Sequence, residues 1–317
     1  METLQGISKF DKAHQTAVTI GTFDGVHIGH FQLLNRLINS AKSSGLKSMV
    51  LTFFPHPRMV LQKDADIKLL NTLDEKVQIL EKTGLDYLIV HHFTKEFSRL
   101  SAVDFVRDIL VNGLSAKKVI IGYDHRFGRN RTANINDLVS FGNTFDFKVE
   151  EIPVQEIDDV SVSSTKIRKA LHDGDVATAN DYLGYEYMLT GTVEKGKGLG
   201  RELGFATANL AIQETYKLIP KKGVYLVKSK IAEKYFFGMM NIGLNPTVET
   251  VNDGGERTRI EIHFFDVDQN LYGQKMQIDI LQRLRDEQKF NSLEDLKKQL
   301  QKDKNVSLNL IKRQGAQ

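Results

Sequence analysis

Two histidines flank an isoleucine and a glycine in His27-Ile28-Gly29-His30, directly after a β-branched run that glycines break at Gly21 and Gly25. Imidazoles hydrogen-bond anionic oxygen, and Gly29, lacking a side chain, lets a ligand approach the backbone closely. Residues 17–20 read as a buried strand, while Leu33, Leu34, Leu37, Ile38 and Ala41 recur at helical spacing, so a helix is predicted to begin near Gly29 or His30. A helix start beyond a strand's carboxyl edge presents unpaired N–H groups and a positive dipole end, which suits a phosphate. The Lys-Ser/Thr pair of a Walker loop is absent. On residue types alone three other readings stay open: metal ligands together with Asp24, ordinary polar residues at a helix start, or caps of a different anion site.

Other segments carry chemistry further along. Gly122-Tyr-Asp-His-Arg-Phe-Gly128 follows a predicted strand; Asp124 offers an acceptor to a ribose or flavin group and Arg126 a partner to phosphate. Ser164 and Thr165 are good helix caps whose hydroxyls and N–H groups suit a phosphate, with Arg168 one turn on. In the second half, glycines at 191, 196, 198, 200 and 204 precede Thr207-Ala-Asn209, whose hydroxyl and amide carbonyl suit a hard cation bound to ATP. Residues 259–265 alternate so that Arg259, Glu261 and His263 share one face of a strand.

The elements that must position these residues divide at about residue 184. Strands are predicted at residues 17–20, 48–54, 87–91, 118–122 and 147–152, with helices between them. One such helix opens on the capping box Thr72-Leu-Asp-Glu75. This alternation predicts a parallel sheet covered on both faces, with ligands at the strands' carboxyl ends. Residues 171–185 read as one helix. Beyond it, strands at 188–193, 223–229, 235–241, 259–265 and 275–281 follow without long helices between them and predict a small antiparallel barrel. A helix is expected after Asn291-Ser292, then a loose tail from about residue 305.

Composition narrows the class. The chain has 317 residues, enough for two domains, and no cysteine, which excludes disulfides, thiolate-bound zinc and thiol nucleophiles. Its 43 Lys and Arg are scattered among 40 Asp and Glu, so nucleic acid is not an indicated partner. No run reaches the length of a membrane span and no signal-peptide pattern opens the chain, which favours the cytoplasm.

His27-Ile-Gly-His30 resembles the His-x-Gly-His signature of nucleotidylyltransferases. In their order, Gly21 to His30, Thr52-Phe-Phe-Pro-His-Pro57, Gly122 to Gly128 and Ser163 to Arg168 are similar to the successive motifs of prokaryotic FAD synthetase. The segment from Gly191 to Leu210 resembles the riboflavin kinase signature. That agreement continues through Gly223-Val-Tyr225, Asn241-Ile-Gly243, Pro246-Thr247, Glu261-Ile-His263 and Leu284-Arg-Asp-Glu-Gln-Lys-Phe290. The chain thus resembles the bifunctional riboflavin kinase/FAD synthetases.

The resemblance implies a Rossmann-like nucleotidylyltransferase domain over residues 1–184 and a β-barrel kinase domain over 185–317. It implies that Gly21, Phe23, Asp24, His27, Gly29, His30, Ser164, Thr165 and Arg168 bind ATP in the first. Phe53, Pro55, His56, Asp124 and Arg126 lie near the flavin or adenosine. In the second, Gly196, Gly198 and Gly200 cover ATP, Thr207 and Asn209 bind magnesium and phosphates, Glu261 is the base and Arg285 closes the flavin site. Expected substrates are riboflavin, FMN and ATP, with Mg2+ held largely by phosphates and water, in a monomer or weak oligomer. Two positions depart from the family pattern: Ala206 stands where proline is usual and Lys195 where histidine is common. Losing the proline leaves the ligands in place but loosens the backbone before them. A transferase of another class would share only the histidine turn, and a flavin or nucleotide sensor would lack ligands or base.

Overall fold

Five runs that the sequence predicts as strands pair side by side in the computed structural model, which describes every residue except 63–65, 123–124, 153–161, 196–203, 245–257 and 315–317. They form β2 (Thr16–Ile20), β3 (Lys47–Phe54), β4 (Tyr87–His92), β5 (Ala116–Gly122) and β6 (Lys148–Ile152). A short strand, β1 (Glu2–Gln5), adds at the edge; its polar residues gave no strand pattern in the sequence. The order is β1-β4-β3-β2-β5-β6 and every pairing is parallel. All five residues of β2 are buried, as a parallel sheet covered on both faces requires.

The order changes direction at β2. Successive strands run outward through β3 to β4 on one side, then cross to β5 and β6 on the other, which opens a crevice beyond the carboxyl ends of β2 and β5. The helices of this half are α1 (Ile28–Ser43), α2 (Pro57–Leu61), α3 (Leu73–Glu81), α4 (Ala102–Asp104) and α5 (Ile135–Phe145), and α4 continues as a π-helix over Phe105–Val111.

Residues 171–185, expected as one helix, fold as α6 (Ser164–Asp173) and α7 (Val176–Leu183), because Gly174 takes a left-handed φ of +83° between them. Six strands follow: β7 (Tyr187–Glu194), β8 (Ala208–Ala211), β9 (Gly223–Ile231), β10 (Lys234–Leu244), β11 (Thr258–Phe264) and β12 (Lys275–Arg285). They close an antiparallel barrel in the order β10-β11-β8-β7-β12-β9.

The chain resolves into two compact units, Met1–Ser164 and Thr165–Gln317. The sequence predicts a boundary at 184/185, and α7 falls within the second of these units. The Asn180 amide donates to the Ile280 carbonyl at 2.9 Å and its oxygen accepts from the Tyr187 N–H at 2.8 Å.

The expected loose tail is instead part of α8 (Leu293–Gln314), the last described element. Its Leu300, Leu308 and Ile311, spaced to lie on one helical face, pack against Phe205, Met239 and Phe265 on the outside of the barrel.

Candidate functional site

The turn between β2 and α1 is anchored from several sides. The Thr22 carbonyl accepts from Thr52 Oγ1 at 3.2 Å and from Lys76 Nζ at 2.7 Å. Asp24 Oδ1 accepts from the Leu70 N–H at 2.9 Å, and the Asp24 carbonyl accepts from Ser164 Oγ at 2.8 Å. Phe23 and Val26 both hold positive φ, a conformation costly for a β-branched residue and sustained only by such anchoring. A Cβ on Gly21 would stand 3.0 Å from the Phe23 ring, so that glycine makes room for the turn itself. Phe23 and Asp24, expected to bind ATP, are 1% and 2% exposed and here support the turn from below.

The two imidazoles come together. His27 caps α1, and its ring stacks on that of His30 with centroids 3.8 Å apart. The His27 N–H donates to His30 Nδ1 at 3.3 Å, which leaves the proton of a neutral His30 ring on Nε2. His27 Nδ1 is buried with no hydrogen-bond partner among the described residues. Burial pushes the His27 ring down to about 4 against the opposing pull of Asp24, and burial, His27 and Lys76 lower His30 well below its usual value. Both rings are therefore neutral at pH 7 in the ligand-free chain.

Ser164, expected to bind ATP, donates its hydroxyl to the turn at the Asp24 carbonyl. Thr165 and Arg168 follow on α6, with Arg168 on the helical face of Ser164. Phe53 on β3 stands in register with His91 on β4. Around it lie Phe93 and Phe97, each with ring centroids 5.6 Å from Phe53, and Phe97 continues to Phe105 and Phe127. Phe93, Phe105 and Phe127 are buried, so these rings form core at the strands' carboxyl ends with Phe53 and Phe97 half-buried against it, and of them the sequence singles out only Phe53 as a site residue. The signal available was Phe93 and Phe97, four apart beyond a strand end.

Pro55 follows a cis bond from Phe54, and His56 caps α2 by accepting from the Arg58 N–H at 3.2 Å. Arg126 is exposed. Asp124 lies outside the described residues.

In the barrel, three strands bring the expected residues into line. Asn209 on β8, Glu261 on β11 and Asn241 on β10 are direct partners in register. Thr207 Oγ1 donates to Glu261 Oε1 at 3.4 Å, so the hydroxyl, the amide oxygen and the carboxylate share one outer face. Arg259, two residues before Glu261, ties them together: its Nη2 pairs with Glu261 Oε1 at 2.5 Å and its Nε donates to Asn209 Oδ1 at 3.3 Å. These neutral and acidic oxygens fit a hard cation carried in on a nucleotide. Among the described residues no cluster of three or more His, Cys, Asp or Glu could hold a metal alone.

Ala206, where proline is usual, is not left free. His263 Nδ1 lies 2.9 Å from its carbonyl, and the His263 ring meets Phe205 edge-on. A cavity of about 450 Å³ adjoins Thr207, lined also by Val193, Asn270, Leu271 and Tyr272. Gly196, Gly198 and Gly200 fall outside the described residues, while Lys195 is exposed at the end of β7.

Arg285, expected at the flavin site, is committed to α8. Its Nε and Nη2 donate to the Asp303 carboxylate at 2.8–3.1 Å, and Gln299 Nε2 donates to Asp303 Oδ1 at 2.7 Å. The two side chains are 16% and 5% exposed. Asp303→Ala strands this guanidinium in a mostly dry setting and is expected to destabilise the barrel unit by about 3 kcal/mol. Thermal melting checks it.

A family model described as FAD synthetase matches residues 9–166, and one described as riboflavin kinase matches residues 183–311. The bifunctional riboflavin kinase/FMN adenylyltransferase of Escherichia coli K12 is 36% identical over 306 residues, 96% of this chain and 96% of that protein. That of Listeria monocytogenes is 37% identical over 287 residues, 90% of this chain and 89% of its own. A crystal structure from Streptococcus pneumoniae, described as a macrolide-efflux protein, matches with a TM-score of 0.86 at 30% identity, over 97% of this chain and 98% of that one. Among the described residues no helix of this chain is long and apolar enough to cross a membrane. With both halves matched in their order along the chain, and with relatives aligned over nearly its whole length, the chain belongs to the family of bifunctional riboflavin kinases/FMN adenylyltransferases.

Proposed function

We propose that the two activities of the family are divided between the two sites just described. The barrel phosphorylates riboflavin to FMN, and the parallel-sheet unit transfers adenylate from a second ATP to FMN, yielding FAD and pyrophosphate. The observation that supports this reading is that Glu261 stands in register with Asn209 in the barrel, while His27 stacks on His30 after a strand of the parallel sheet.

A neutral ribityl hydroxyl must lose a proton as it attacks the γ-phosphorus, and Glu261 is the group to receive it. Arg259 and Thr207 both orient that carboxylate through its Oε1. Thr207 and Asn209 would hold a magnesium ion, which when bound neutralises phosphate charge. The nucleotide then extends from these residues into the cavity beside Thr207.

Adenylyl transfer needs no base, because the FMN phosphate is already anionic near neutral pH. The protein has to align that phosphate with the α-phosphorus and stabilise the departing pyrophosphate. His30 Nε2 and the start of α1 are the donors for this, while the half-buried Phe53 at the end of β3 meets the isoalloxazine.

The test is to incubate the chain with riboflavin, ATP and magnesium and to separate riboflavin, FMN and FAD over time. FMN is expected first and FAD after it. FMN accumulating without FAD would remove the first unit from this scheme, and conversion of supplied FMN alone would remove the second.

A further inference from the structure

Lys76 is 5% exposed on α3, a helix fixed at its start by reciprocal bonds between Thr72 and Glu75. Taking an ammonium out of water is expensive, and an apolar side chain would fill the same space at lower cost. Its Nζ nevertheless points at the Thr22 carbonyl, 2.7 Å away, inside the turn that leads to the histidine pair. The anchoring of that carbonyl already has a neutral contributor in Thr52 Oγ1, so a hydrogen bond alone does not account for a charge there. Asp24 faces Lys76 from the turn and His30 faces it from α1, while Asp74 and Glu75 flank it on α3. With both imidazoles neutral, Lys76 is the cation set beneath the proposed phosphate site.

We propose that Lys76 is a positioning residue for adenylyl transfer: its buried ammonium holds the Thr22 carbonyl and supplies fixed positive charge under the ATP phosphates. This rests on the assignment of the Gly21–His30 turn to ATP. Burial lowers the ammonium to about 8, against the pull of Asp24, so the free chain loses this charge as pH rises through that value. ATP and FMN are fully ionised there and do not add a titration of their own.

The experiment compares Lys76→Met and Lys76→Arg with the unaltered chain, with riboflavin phosphorylation by the same molecules as the folding control. Lys76→Met is expected to lower kcat/KM for ATP in FAD formation by about 100-fold, with the KM for FMN within about threefold and Lys76→Arg recovering at least about tenfold. A Lys76→Met chain that makes FAD within about threefold of normal overturns the proposal. So does a Lys76→Arg chain no better than Lys76→Met, because restoring the charge then restores nothing.

The unaltered chain gives a second measurement that no folding failure can obscure: kcat/KM for ATP in FAD formation is expected to fall above about pH 8. A flat profile through pH 9.5 overturns the proposal as well. His30→Ala measured alongside separates the two readings, since loss of FAD formation there with an unaffected Lys76→Met chain removes only the role of Lys76, and an unaffected His30→Ala chain removes the ATP assignment itself.

Discussion

Glu261→Gln is expected to reduce FMN formation from riboflavin by about 10²–10⁴-fold, the range that a positioned general base contributes. The amide keeps the size of the side chain and one oxygen for Thr207 Oγ1 to donate to, so β11 and its pairing with β8 and β10 remain in place. What is lost is the acceptor for the ribityl proton and the ion pair with Arg259. Supplied FMN should still become FAD at the normal rate, because that reaction belongs to the other sheet. The two-substrate assay reads both rates from one preparation, and loss of both activities from a chain with an unchanged melting profile would overturn the division of labour.

The converse change is His30→Ala. Removing a donor that faces developing charge costs about 10²–10³ in rate, and His30 also accepts the His27 N–H, so its loss disturbs the stacked pair as a unit. FAD formation should fall by that factor while riboflavin is still phosphorylated and FMN accumulates. His30 also packs against Phe23, but the turn retains its anchors through Thr52, Lys76, Leu70 and Ser164. A His30→Ala chain that adenylylates FMN normally would remove the histidine pair from the mechanism.

How much of this was readable without coordinates depended on how local each signal is. The inner strands β2, β3 and β4 are legible because burial on both faces demands apolar runs, and the histidine turn because its whole constellation lies within ten consecutive residues. β1 and β8 gave no such sign, the first being polar and the second only four residues long. Lys76 was invisible for another reason. A lysine one turn into a helix is ordinarily a solvated residue, and only the packing of α3 against the turn after β2 reveals that it is buried. Alternation along β11 put Arg259 beside Glu261, but its bond to Asn209 depends on β11 pairing with β8 across more than fifty residues of chain. Arg285 is the sharpest case. Its sequence neighbours point to the flavin, while its hydrogen bonds go to Asp286 and to Asp303, a residue on a helix where the sequence suggested a loosening chain.

The barrel's strand order sets a schedule for the nascent polypeptide. The parallel sheet has all of its strands once residue 152 has been made, but β7, the first strand of the barrel, finds its second neighbour only in β12, the last, which also seals the ring against β9. Until Arg285 has left the ribosome, β7 and β9 each keep a bare edge, the kind of surface that recruits other chains. Synthesis interrupted between these two points leaves a first unit with its sheet fully assembled, tethered to an open and adhesive half-barrel. Quality control on a stalled chain would meet that edge first.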